Sequence, residues 1–250
     1  MKNSFFCKSP YINLYDRPSL NSKISSQILY GEKFKILLKK KNFLKIKSSY
    51  DNYVGYIRSS NYINKFKPTH KIKILKSRIF NQPKIRNKKK FNKFLPFSSQ
   101  ISILKQKNNF VMFQKNKWIK KKDICQIKKK EKNFTKILNF FLNCKYKWGG
   151  KTYNGIDCSA LIQIFYKFNN KFFPRDTVDQ IKLNNGIKNK KKFKKGDIIY
   201  WKGHVALCVN SKKLIHAYGP EKKVIIMPIK KTINRIERTA NLKVKKICRI

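Results

Sequence analysis

Short apolar segments separated by polar turns fill the first quarter of the chain, at residues 11–15, 23–29, 33–38, 43–47 and 54–58. Alternation at period two over such short stretches predicts strands, and their spacing predicts a small, barrel-like all-β unit over about residues 8–65. Between 70 and 128 the pattern weakens. Segments 72–75, 101–104, 110–113 and 118–121 read as strands, with the Lys- and Asn-rich tract 87–93 as a loop. The alternative is an irregular linker carrying one hairpin, although about 60 structureless residues would be unusual. Helical spacing then takes over. Phe134, Ile137, Leu138, Phe141 and Leu142 form one apolar face, predicting a helix over about 132–143. Leu161, Ile164, Phe165 and Phe168 mark a second helix. After 177–183 and a Lys-rich connection the pattern turns extended again, at 196–201, 203–209, 214–218 and 224–229. Helices first and antiparallel strands after predict an α+β domain over 129–250, preceded by one or two small all-β domains at 1–66 and 67–128.

One cysteine in this pattern stands where a nucleophile would. Gly149, Gly150 and Gly155 permit a tight backbone path, and Asp157 is a good N-cap residue just ahead of the second helix. Cys158 therefore falls in the first turn, where free N–H groups and the helix dipole favour a thiolate and are expected to lower its pKa. The chain has three histidines. His70 lies in a Lys-rich connection, whereas His204 and His216 sit on two strand-like segments joined by Asn210, Ser211 and Lys212. A three-residue hairpin loop sets Val209 opposite Lys213 and Ala206 opposite His216. His204 is then a diagonal neighbour of His216 on one sheet face, within about 7–8 Å. His204 is the expected base for Cys158, with His216 orienting the imidazolium.

Composition changes the picture less than its size suggests. The 250 residues include 62 Lys and Arg against 11 Asp and Glu, a net charge of +51. Such a balance points to nucleic acid or an anionic surface, and non-specific contact with polyanions is a candidate property. Lys, Asn, Ile and Phe are inflated together along the whole chain, however, as an AT-biased genome produces. The runs 88–90 and 190–192 read as solvated loops. The six cysteines are scattered without a Cys-x-x-Cys pair, so neither a zinc site nor a disulfide framework is expected, and no metal or other cofactor is required. For the five others the ordinary reading is a small buried hydrophobe. No apolar run is long enough to span a membrane, and residues 1–18 lack a signal-peptide core. The expected location is the cytoplasm, with non-classical export left open.

The runs Tyr-x-Trp-Gly-Gly (146–150), Gly-x-Asp-Cys-Ser (155–159), Pro-Arg-Asp-Thr (174–177), Gly-His-Val (203–205) and Ile-His-Ala (215–217) together resemble the NlpC-type, papain-like cysteine peptidases that cut bacterial cell-wall peptides. The resemblance covers about the last 120 residues and implies the same roles for Cys158, His204 and His216. Runs 14–18, 27–32 and 51–57 resemble the bacterial SH3-type domains that precede many such enzymes. Runs 95–99 and 117–120 resemble a second, degenerate copy. Relatives of this build are γ-D-glutamyl-L-diamino acid endopeptidases acting on peptides of the L-Ala-γ-D-Glu-diaminopimelate type with a free N-terminal L-Ala. The resemblance implies that Glu32 and Tyr53 hold that amine with help from Asp157, that Tyr146 lines the cleft, and that Arg175, Ser159 and Thr177 bind the D-glutamate carboxylate. Plainer readings stand beside these: Tyr53 as barrel aromatic, Tyr146 packed on Trp148, Arg175 paired with Asp176 or Asp179. Recycling of released murein peptides is the expected function. The alternatives are an exported hydrolase gripping intact wall through its SH3-type domains, and a binding module without catalysis.

Overall fold

The computed structural model describes residues 4–59, 62–85, 93–183, 186–187 and 192–250. The tract expected as a loop at 87–93 and the lysine runs at 88–90 and 190–192 lie wholly or largely outside them. The chain divides into two compact units, Met1–Lys130 with Lys167–Asn170, and Glu131–Tyr166 with Lys171–Ile250.

The first unit opens with seven antiparallel strands: β1 (Ser4–Cys7), β2 (Tyr11–Tyr15), β3 (Ile24–Leu29), β4 (Lys33–Lys40), β5 (Phe43–Ser48), β6 (Val54–Arg58) and β7 (Tyr62–Ile63), in the order β3-β2-β6-β5-β4-β1-β7. Strand β5 shows how the period-two pattern works. Leu44, Ile46 and Ser48 are buried, the intervening residues are half-exposed, and Leu44 and Ile46 join Leu14, Ile28, Phe34 and Ile57 in one core. Asn52, in the left-handed region at φ 59°, turns β5 into β6, and the Asp51 carboxylate accepts the Tyr53 N–H at 3.2 Å.

Residues 70–126 are no irregular linker. They form β8 (His70–Ile72), β9 (Lys76–Arg78), β10 (Phe94–Pro96), β11 (Gln100–Ile101), β12 (Lys105–Lys107), β13 (Phe110–Gln114), β14 (Lys117–Lys120) and β15 (Ile124–Gln126). Ile72, Leu95, Ile101, Val111, Phe113, Ile119 and Ile124 make a second core, which Tyr30 of the preceding barrel joins.

The second unit is α+β. Helix α1 (Phe134–Asn139) is shorter than the predicted 132–143, because Phe140 closes it and the chain turns through Asn143 at φ 64°. A two-stranded ribbon, β16 (Lys151–Thr152) and β17 (Gly155–Ile156), leads into α2 (Cys158–Phe168), and α3 (Thr177–Gln180) follows. The main sheet has β18 (Asp197–Trp201), β19 (His204–Cys208), β20 (Lys213–Tyr218), β21 (Lys223–Pro228) and β22 (Lys246–Arg249), ordered β21-β20-β19-β18-β22. Between the last two strands runs α4 (Ile229–Ala240), absent from the predicted elements. It buries Ile229, Thr232 and Ile236 and ends on left-handed Asn241. Its buried isoleucines pack with Ile199, Trp201, Ala206, Cys208 and Leu214, all on one sheet face. Among the described residues, no helix is long and apolar enough to cross a membrane.

Candidate active site

Asp157 organises the start of α2. Its Oδ1 accepts the Ala160 N–H at 2.9 Å, as an N-cap should, and the Ser159 hydroxyl at 3.0 Å. Its Oδ2 accepts the Gly149 N–H at 2.9 Å. Buried Arg175 completes the cluster, donating Nη1 to Oδ1 at 3.0 Å and Nη2 to Oδ2 at 2.5 Å, with a further bond from Nη1 to Ser159 Oγ at 2.8 Å. Two parallel N–H donors on one carboxylate are the strong, directional form of this ion pair. Gln180 of α3 holds the arginine's loop, donating to the carbonyls of Pro174 at 2.9 Å and Ser159 at 3.0 Å. The glycines are needed here. A Cβ on Gly150 would stand 2.4 Å from the Gly155 carbonyl oxygen, and Gly155 itself has φ 141°.

Cys158 is thereby fixed at the mouth of α2, with 6% of its surface exposed. Its sulfur receives the backbone N–H groups of Val205 and Ser159. Val205 follows His204 on β19, so the helix and the histidine strand meet at the sulfur. The hairpin between β19 and β20 is the three-residue loop that the sequence predicted. Val209 N–H donates to the Lys213 carbonyl at 2.9 Å, Leu207 pairs with Ile215 and Cys208 with Leu214. Asn210 Oδ1 steadies the turn by accepting the N–H groups of Lys212 and Lys213 at 2.8 and 2.7 Å. On the face this register defines, His204 Nε2 lies 2.9 Å from His216 Nδ1. Tyr218 stacks on the His216 ring, centroids 4.6 Å apart and planes 13° from parallel. The second ring nitrogen of His216, Nε2, lies 3.4 Å from Met227 Sδ.

The sequence pattern of the NlpC/P60 family matches residues 143–240, and that of the bacterial dipeptidyl-peptidase Sh3 domain matches 14–61. The chain carries an NlpC/P60 domain. The γ-D-glutamyl-L-lysine dipeptidyl-peptidase of Bacillus subtilis is 34% identical over 40% of this chain and 36% of its own length. Dipeptidyl-peptidase 6 of Lysinibacillus sphaericus is 24% identical over 82% of this chain and 84% of its own. The NlpC homologue of Haemophilus influenzae, a probable endopeptidase, is 34% identical over 35% of this chain and 49% of its own. The chain thus spans about a third of the first of these relatives. An NlpC/P60 family protein from Bacillus cereus superposes with a TM-score of 0.80 at 18% identity, covering 98% of this chain and 99% of that one. At such identity the likeness speaks for the fold: a papain-like α+β domain after an all-β region.

The electrostatics of the NlpC/P60 domain depart from the helix-dipole expectation. Burial, reinforced by the Asp157 carboxylate, pushes the Cys158 thiol up to about 12, against the opposing pull of the Val205 N–H, Arg175 and the Ser159 N–H. Burial holds His204 down to about 4, and burial, His204 and Arg235 hold His216 down to about 2. Desolvation therefore outweighs the dipole. Both directions favour the uncharged forms, thiol and neutral imidazole, over an ion pair at neutral pH.

The other predicted site residues lie as follows. Tyr146 is half-buried, and burial together with Cys158 and Asp157 raises the pKa of its hydroxyl; neighbouring Trp148 is 63% exposed. Thr177 opens α3, half-buried. Ser159 and Arg175, expected to bind a substrate carboxylate, both bond to Asp157. In the first unit, Glu32 is buried and its carboxylate forms an ion pair with Lys167, while Tyr53 packs half-buried on the barrel core. The second unit thus gathers Cys158, Ser159, Asp157, Arg175, Tyr146, His204 and His216. Met227, Tyr218 and Gln180 were not anticipated. The diagonal rule that pairs the histidines also finds Met227, two residues beyond Ile225, the partner of His216 on β21.

Proposed function

We propose that the NlpC/P60 domain hydrolyses the γ-D-glutamyl bond to a diamino acid in short cell-wall peptides, through Cys158, His204 and His216. One observation carries the reading: the Cys158 sulfur bonds to the first N–H after His204, and the far nitrogen of that imidazole is held by His216. With Nε2 so engaged, His204 keeps Nδ1 for the thiol. Because the resting pair is neutral, the proton moves as the sulfur attacks: S–H passes its proton to His204 Nδ1 while the S–C bond forms, and negative charge collects on the carbonyl oxygen. Backbone N–H groups at the start of α2, that of Cys158 included, are placed to stabilise it. The imidazolium, supported through Nε2 by His216, then protonates the leaving amine as the C–N bond breaks. Water, deprotonated by the same imidazole, hydrolyses the thioester and restores the thiol.

The names of the Bacillus and Lysinibacillus relatives favour peptides with γ-D-glutamyl linkage and release of a dipeptide. The expected substrates are L-Ala-γ-D-Glu-diaminopimelate and its L-lysine counterpart, released wall fragments met in the cytoplasm. Purified protein should convert these to L-Ala-D-Glu plus the free diamino acid, and Cys158→Ala should abolish the product. Equal product from that variant, or none from the wild type, refutes the proposal. Faster release from intact sacculi than from free tripeptide would overturn the cytoplasmic part alone.

A further inference from the structure

The imidazoles of His204 and His216 have four ring nitrogens, and three are placed: Nε2 of His204 against Nδ1 of His216 at 2.9 Å, and Nε2 of His216 against Met227 Sδ at 3.4 Å. A thioether sulfur has lone pairs and no hydrogen, so it only accepts. That single constraint propagates along the chain of rings. With Met227 accepting, His216 carries its hydrogen on Nε2 and its lone pair on Nδ1. His204 must then donate from Nε2, which leaves the lone pair of His204 on Nδ1, the nitrogen that takes the thiol's proton. The opposite assignment puts two lone pairs face to face at Met227 and a hydrogen on His204 Nδ1. An imidazole so protonated cannot accept from Cys158.

We propose that Met227 is a positioning residue of the peptidase, fixing the tautomers of His216 and, through it, of His204 so that the base is ready before substrate arrives. The inference rests on the proposed peptidase chemistry for its purpose, not for its geometry. The sheet supports it. His216 pairs with Ile225, so Met227 is a diagonal neighbour on the same face, half-buried against the core of Trp201, Leu214 and Ile229. Fully buried His216 is out of reach of bulk water as a substitute acceptor, so the sulfur matters more than it would at the surface. The relay also suits the reaction. When His204 gains its second proton, His216 Nδ1 already presents a lone pair to Nε2–H, and the neutral hydrogen bond becomes a charge-assisted one.

The test is to measure the tautomers directly, by nitrogen-15 NMR of histidine-labelled protein without substrate. Wild type should show His216 protonated on Nε2 and His204 on Nε2. In Met227→Leu, similar in volume but without an acceptor, the two tautomers of each ring should mix. Met227→Gln, whose carbonyl accepts, should restore the wild-type pattern. On L-Ala-γ-D-Glu-diaminopimelate, Met227→Leu should lower kcat about two- to tenfold, the range of one hydrogen bond, with KM unchanged and rescue by Gln. The acid limb of the kcat/KM profile should also move in the Leu variant. The titratable and charged groups around this pair are Cys158 at the start of α2 with Asp157 just before it, Tyr218 on β20, and Arg235 on α4 with its partner Glu221. None of these is altered by the substitution. Wild-type His216 protonated on Nδ1, or identical tautomers in the Leu variant, overturns the proposal. If the wild type cuts nothing, the peptidase reading fails while the NMR result stands on its own.

Discussion

The pair of Arg175 and Asp157 offers the sharpest test of how this site is held. Arg175→Met keeps most of the side-chain volume but removes the guanidinium's two bonds to the carboxylate and its bond to Ser159 Oγ. Asp157 stays behind with three donors, from Gly149, Ser159 and Ala160. Its charge is no longer neutralised in a site where both partners are buried. Breaking such a pair from one side costs about 3–5 kcal/mol, whereas replacing both members is far milder. Asp157→Asn should cost about as much, since it leaves a buried guanidinium facing an amide. The double variant should be no worse than either single one, which makes the coupling at least as large as the smaller single cost, about 3 kcal/mol or more. Hydrogen exchange of peptides covering α2, followed as a function of urea, reads the loss where it occurs. An Arg175→Met cost below about 1 kcal/mol, or a coupling near zero, would refute the claim that this pair holds the nucleophile's helix in place.

Two further outcomes follow from the same structure. Between about pH 6.5 and about pH 2 an unfolded histidine binds a proton that folded His216, held down to about 2, refuses. The stability it contributes is fully present above pH 6.5 and is lost at about 1.4 kcal/mol per pH unit below it. His216→Asn should therefore cut proton uptake on unfolding at pH 5 by about one, and an unchanged uptake contradicts the burial of a neutral ring. Ile236→Ala should destabilise the second unit by about 2–5 kcal/mol, because this 4% exposed side chain belongs to the core under the histidine face. A urea midpoint within error of wild type would show that α4 is dispensable to that core.

The parts of the site written in local sequence were readable in advance. Asp157 capping α2 needs only a helix pattern and a capping residue, and the histidine pair needs only a three-residue loop to set its register. The elements that escaped depend on what lies far along the chain. Arg175 is 18 residues from Asp157, and no spacing rule joins a loop arginine to a cap. Helix α4 was hidden because its apolar residues, Ile229, Ile233 and Ile236, are outnumbered by Lys230, Lys231, Asn234, Arg235, Glu237 and Arg238 and follow directly on a strand. The ionisation of Cys158 went the other way from the expectation because burial is a property of the packed unit. A helix dipole can be inferred from a string of letters, but the depth of the sulfur beneath the surface cannot.

The deep burial of the Cys158 sulfur has a bearing on chemistry beyond the proposed reaction. Peroxides and alkylating reagents attack thiolates, so a sulfur that yields its proton only as a carbonyl reaches it offers such agents little to react with. Under the proposed mechanism the arrangement protects the sulfur between turnovers, and an inhibitor built to exploit it must bring an acyl-like electrophile rather than rely on general thiol reactivity.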